Sequence, residues 1–173
     1  MIRKLLLLTL GALTLCQCNS LRSDCRAIAA REAEIARETP GDYYIGRRYY
    51  VPNTRFWGYV RKAGQSWRDA RLVMMDESLV HTPDRGWEPP HPKATYSGDN
   101  NCEYVISGTF TGEDAYDPGS NQVLPVFRPS AFTLRDKDPG FLFKPSEQYH
   151  VAYVTLLPSI MPTREQVEYY TKR

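Results

Sequence analysis

Histidine is scarce in this chain, with three in 173 residues, His81, His91 and His150, and their spacing fits no zinc signature. No metal site and no cofactor are expected on that basis. No serine stands in a G-x-S-x-G elbow, and no cysteine has the neighbourhood of a catalytic thiol. Asp76 and Glu77 are adjacent, so in a strand they point to opposite faces and do not form an acid and base pair. Asp114, Asp117, Ser120 and Asn121 depart from the alternate-residue order of a calcium loop and read as a hairpin turn. A non-enzymatic protein is expected. Charge of one sign is lacking too, with 22 Lys and Arg against 20 Asp and Glu, and Arg3 and Lys4 belong to a leading segment. The remainder is near neutral and has no basic footprint for a phosphate backbone, which argues against a nucleic-acid partner. No internal repeat is present.

A long hydrophobic run is also missing. Leu5 to Leu15 is apolar apart from Thr9 and Thr14, well short of the about 20 residues that span a bilayer. Behind Arg3 and Lys4 it has the form of an export signal, residues 1–18. Cys16-Gln17-Cys18 offers small side chains at the third and first positions before a cut, which would free a chain starting at Asn19. Leu13-Thr14-Leu15 before Cys16 and Leu15-Cys16-Gln17 before Cys18 each match part of a lipidation motif. These first twenty residues resemble those of bacterial envelope lipoproteins. The resemblance implies lipid on Cys18 or Cys16, with cleavage before that cysteine, and an exported protein that is lipid-anchored or free in the periplasm or medium. Acyl anchoring takes more than one chain to be stable. Cleaving after Cys18, or lipidating it, leaves Cys25 and Cys102, which an oxidising compartment would pair as a disulfide; lipidation of Cys16 would leave three thiols.

From Ser20 to Glu38 there is no Gly or Pro, and Leu21, Cys25, Ile28, Ala29, Ile35 and Ala36 recur at helical steps. This predicts an amphipathic helix or stalk within 19–40, stopped by Thr39-Pro40-Gly41. The domain that follows, 41–162, reads as mainly β. Strands are expected in 42–51, 55–62, 70–77, 103–112, QVLPVF, AFTL and HVAYVTLL, separated by turn residues at Gly64-Gln65, Ser97-Gly98, Asp117-Pro118-Gly119 and Asp138-Pro139-Gly140. In 103–112, Tyr104, Ile106 and Phe110 share one face. Pro125 marks its segment as an edge or a bulge. Thr163-Arg164-Glu165-Gln166 has the form of a capping box and predicts a short helix over 163–173. The expected architecture is a small barrel or sandwich of about seven short strands with a helix at each end.

Aromatic residues are what the chain does have. Tyr43, Tyr44, Tyr49, Tyr50, Phe56, Trp57 and Tyr59 lie close together and alternate with Arg47, Arg48, Arg55 and Arg61. Such rings either half-bury in a small barrel or stack on sugars, peptides or a protein. The stretch HTPDRGWEPPHPK, holding Trp87, is too proline-rich for a central strand and reads as a functional loop. RFWGYVRKAGQSWRDARLVMMDES with EYVISGTFTGEDAYDPGSNQVLPVF resembles the strand and turn pattern of OB-fold-like small β-barrels, which implies binding through the barrel face and its loops. The expected function is envelope binding of a protein or glycan through Tyr44, Tyr50, Trp57, Tyr59 and Trp87. The alternatives are a hydrolase whose site is assembled from distant residues and a purely structural lipoprotein.

Overall fold

A computed structural model describes residues 22–51, 54–83 and 99–145. Cys16, Cys18, Trp87, His91, His150, the strand expected at HVAYVTLL and the helix expected over 163–173 lie outside the described residues. One α-helix, α1, occupies residues 22–35, inside the predicted segment. Its last backbone bonds tighten, with the Arg37 N–H on the Glu34 carbonyl at 3.1 Å and the Glu38 N–H on that of Ile35 at 3.0 Å, as helix exits commonly do.

Five strands follow: β1 (Tyr44–Arg48), β2 (Gly58–Lys62), β3 (Arg71–Met75), β4 (Glu103–Asp117) and β5 (Gln122–Asp136). They form one closed barrel in the order β1-β2-β3-β5-β4. Neighbours are antiparallel except β3 and β5, which run parallel through Met74 opposite Val126 and Met75 opposite Phe127. Seven strands were expected; among the described residues there are five. QVLPVF and AFTL turn out to be one strand, because the ladder slips at both prolines instead of stopping. Pro125 faces Asp114 just after an irregularity that begins at Phe110, and Pro129 faces Gly108 at a second shift. A proline without an N–H is accommodated at such bulges. Gly108 assists: a Cβ there would run into the Arg128 carbonyl and the Pro129 backbone.

In β1, β2 and β3 both faces are largely buried, whereas β4 and β5 expose much of their length. The inner face carries Trp57, Val60, Val73, Cys102, Tyr104, Ile106 and Phe127. Trp57 meets Tyr104 and Phe132 at ring separations of 6.1 and 5.8 Å, and Tyr44 meets Phe127 at 4.9 Å. These partners sit on strands that are not neighbours, so the contacts cross the lumen. The expected sharing of a face by Tyr104, Ile106 and Phe110 holds, whereas the run 55–62 switches faces partway along, so that Phe56 and Val60 lie in different layers although an even spacing separates them. Phe56 packs with the outer set and Trp57 with the inner one. The break falls at Gly58, where a Cβ would collide with the Arg47 carbonyl. Full burial of each large side chain in these layers contributes about 2–3 kcal/mol.

The expected bond between Cys25 and Cys102 is not formed. Cys25 is an exposed free thiol on α1, whereas Cys102 is a buried free thiol with its Sγ 3.8 Å from the Lys137 carbonyl. The first cysteine sits in the part of α1 that contributes nothing to the core, and the second faces inward at one end of the barrel. Burial, and then the Asp99 charge, push the Cys102 thiol pKa up, which keeps it protonated.

Candidate functional site

Of the aromatic residues expected to meet a ligand, Tyr59 lies on the outer face of β1, β2 and β3. That face is covered by the chain itself. Tyr59 is fully buried, with Tyr49 edge-on at 5.7 Å and Phe143 edge-on at 5.0 Å. Leu142 and Phe143 come from the segment after β5, and Ile35 from the last turn of α1. Trp57, buried at 3% exposure, fills one end of the lumen. In this arrangement Trp57 and Tyr59 are core residues and offer no face to a ligand. Tyr50 is half-buried, with the Arg48 guanidinium 5.5 Å from its ring centroid, and its N–H donates to Asn100 Oδ1 at 2.8 Å.

Beneath α1 the same face holds a layer of buried charge. Arg61 grips Glu38 with both terminal nitrogens, at 2.5 and 2.7 Å; Arg135 adds a contact at 2.7 Å and the Gly64 N–H one at 2.9 Å. Burial works against the Glu38 charge, but these four donors prevail and hold its carboxyl at a pKa of about 2, below the usual 4.5. Glu103 receives Arg135 at 3.1 Å, Arg47 at 3.6 Å and Arg31 at 3.9 Å. Arg47 also donates to Asn101 Oδ1 at 2.6 Å and the Gly140 carbonyl at 3.0 Å. Trp67, on a single 3-10 turn capped by Ser66, lies between Arg61 at 4.5 Å and Arg47 at 5.6 Å. Planar guanidinium groups suit this work, since they fork onto carboxylates and stack on rings at once. The earlier turns of α1, residues 22–30, add nothing to the core; the helix docks through Arg31, Glu32 and Ile35.

An open aromatic site lies instead at one end of the lumen. Tyr44, Phe110 and Phe127 are mutually edge-to-face, with centroids 5.7, 4.9 and 5.1 Å apart. Tyr44 and Phe110 are half-buried, and Phe127 closes the floor. Lys62 and Arg71, both exposed, lie over this triad, with Lys62 Nζ 3.7 Å from the Tyr44 ring centroid and Arg71 Cζ 4.3 Å from that of Phe110. Tyr44 and Lys62 are cross-strand partners on β1 and β2. Arg71 spans farther, from the start of β3 to β4. This mouth presents aromatic rings topped by two exposed cations. Of the residues at this mouth, the sequence singled out Tyr44 as a ligand-facing candidate and not Lys62, Arg71 or Phe110. The available signal was that all of them fall on the inward parity of their strands.

The remaining candidates have local roles. Asp117, fully buried, caps its turn by accepting from the Gly119 N–H at 3.2 Å and the Ser120 hydroxyl at 2.7 Å, and it also receives the Arg55 N–H at 3.2 Å. Of the four residues read as a hairpin turn, Ser120 and Asn121 lie in it and Asp117 closes it at the end of β4, whereas Asp114 stands within β4 opposite Pro125. Asp76 takes Arg128 Nε at 2.5 Å, and Arg128 with the neighbouring Ser78 donors holds its carboxyl below the usual range. Glu77 takes Thr82 at 3.0 Å and lies 3.2 Å from exposed His81. Among the described residues no three His, Cys, Asp or Glu are grouped to hold a metal ion, and no helix is long and apolar enough to cross a membrane. The fold and mouth define a small, closed, five-stranded β-barrel whose accessible aromatic site is at one end. Comparison with protein-family models, curated proteins and solved structures finds no match.

Proposed function

We propose that this is a non-enzymatic binding protein of the bacterial cell envelope, exported by residues 1–18 and held by lipid on Cys18 or Cys16, whose barrel mouth takes a glycan or peptide. The barrel is OB-like. Antiparallel closure of β1 on β4 and parallel closure of β3 on β5 support that reading, as does the contact between the β1–β2 connection and the β4–β5 turn through Arg55 and Asp117. Barrels of that kind bind on the face of β2 and β3; here Phe143, Leu142 and Ile35 occupy it. The observation that carries the proposal is therefore the half-open Tyr44 and Phe110 pair under Lys62 and Arg71. The helix α1, docked only at its end, serves as a stalk between anchor and barrel.

Titrating the isotope-labelled full chain with chitin oligosaccharides and with cell-wall peptides, read by NMR shifts, tests the site. Shifts gathered around Tyr44 and Phe110 are expected. No shift, or shifts gathered at Leu134 on the far part of β5, would reject it. The mass of the mature N-terminus with detergent partition tests the address. A second reading, a structural lipoprotein with no small ligand, is favoured by the burial of Trp57 and Tyr59.

A further inference from the structure

We infer that the mouth is an anion site, in which Lys62 and Arg71 converge on the phosphate or carboxylate of an acidic saccharide. This deepens the binding role just proposed and rests on it. Both cations lie over rings of one triad, and both are exposed. Among the described residues Lys62 faces a single carboxylate, that of fully exposed Asp42 at 4.0 Å. Among the described residues Arg71 meets none. The contrast with Arg61, held by Glu38 on both terminal nitrogens, is internal to the molecule.

The rings do a specific job here. A lysine or arginine on a surface strand ordinarily samples many rotamers, and fixing it against a ligand costs entropy. A cation seated over an aromatic face is already held. Tyr44 and Phe110 thus preset two flexible side chains at the rim of one opening, with their positive charges unspent. Arg71 supplies a planar fork that matches an oxyanion, and Lys62 a rotatable point charge beside it. A discrete acidic group can enter past Asp42. A flat anionic membrane would press Asp42 against like charge, and neither ring at the mouth is among the exposed large apolar side chains of the described residues, Leu79 and Leu134. These points favour a saccharide over lipid headgroups.

The test is calorimetric titration of the full chain with glucose phosphate, glucuronic acid and unmodified glucose at two salt concentrations, beside vesicles of phosphatidylcholine with or without phosphatidylglycerol. Both acidic sugars should bind, more weakly at high salt, and glucose far less well. Lys62→Gln and Arg71→Gln should each weaken acidic-sugar binding about tenfold, with unchanged near-ultraviolet dichroism, while Arg68→Gln on the exposed turn leaves it intact. Equal binding of acidic and neutral sugars, or equal losses in Arg68→Gln and Arg71→Gln, would overturn the anion site. So would capture by phosphatidylglycerol vesicles without binding of either acidic sugar. Glucose or peptide binding at Tyr44 that ignores both substitutions would remove the anion site and leave the binding mouth standing; no binding of any saccharide or peptide removes both.

Discussion

On the outer face of β1 to β3, Tyr59 and Trp67 lie among Arg47, Arg61 and Phe143, with Glu38 and Glu103 as counter-charges. At the mouth, Tyr44 and Phe110 lie under Lys62 and Arg71, with Asp42 the one carboxylate paired there among the described residues. The ingredients are alike, aromatic rings and long cations, and the outcomes are opposite. What separates them is where the carboxylates and the covering chain arrive. The exit of α1 delivers Glu38, the start of β4 delivers Glu103, and the segment after β5 delivers Leu142 and Phe143, all to one face. That face is thereby spent on holding the protein together. Nothing comparable among the described residues reaches the mouth, so its two cations stay exposed.

The comparison can be broken most forcefully from beneath the mouth. Phe127→Ala removes the floor shared with the barrel interior and should cost about 4 kcal/mol, read as a lower urea midpoint. Next, Glu38→Gln strands Arg61 in a buried layer and should cost about 3 kcal/mol, whereas Asp42→Asn at the mouth should leave the midpoint in place. A third test sharpens the same difference by acid. The Glu38 carboxyl is held down to about 2 from 4.5, so the folded form binds its proton less readily than the unfolded chain does. Its stabilisation is fully present above pH 4.5 and is lost as pH falls towards 2, a loss on the order of 2 kcal/mol after allowance for solvent screening. In Glu38→Gln that part of the acid slope should vanish. At the thiols, Cys25 should react with a maleimide at once, and Cys102 only on unfolding. The smallest effect is expected of Lys62→Gln and Arg71→Gln, within about 0.5 kcal/mol of the parent stability; a larger loss would mean that the mouth, like the covered face, is structural.

Much of the barrel could be read from residue order. The helix over 22–35, the alternation in β4 and the turn at Asp117 follow from local spacing and local side-chain bonds. The Pro125 bulge was also legible, because a missing donor acts where it stands. The union of QVLPVF with AFTL was not, since Pro129 looks like an end until the slip opposite Gly108 is known. Closure by a parallel β3 and β5 joins segments with no mutual signature. The burial of Tyr59 depends on Phe143, 84 positions later in the chain, and alternation cannot announce a cover that comes from so far away. At the mouth, Lys62 and Arg71 look like ordinary solvated charges flanking strands. Only the closing of the sheet sets Arg71 over Phe110.

The parallel seam between β3 and β5 also orders events in time. The β4–β5 hairpin is local and can form quickly, but β3 cannot find its neighbour until Val126 and Phe127 have been made. Until then β3 is a short apolar ribbon with one side open, inviting pairing with another nascent molecule. A polypeptide truncated before Gln122 should therefore aggregate instead of leaving a smaller barrel.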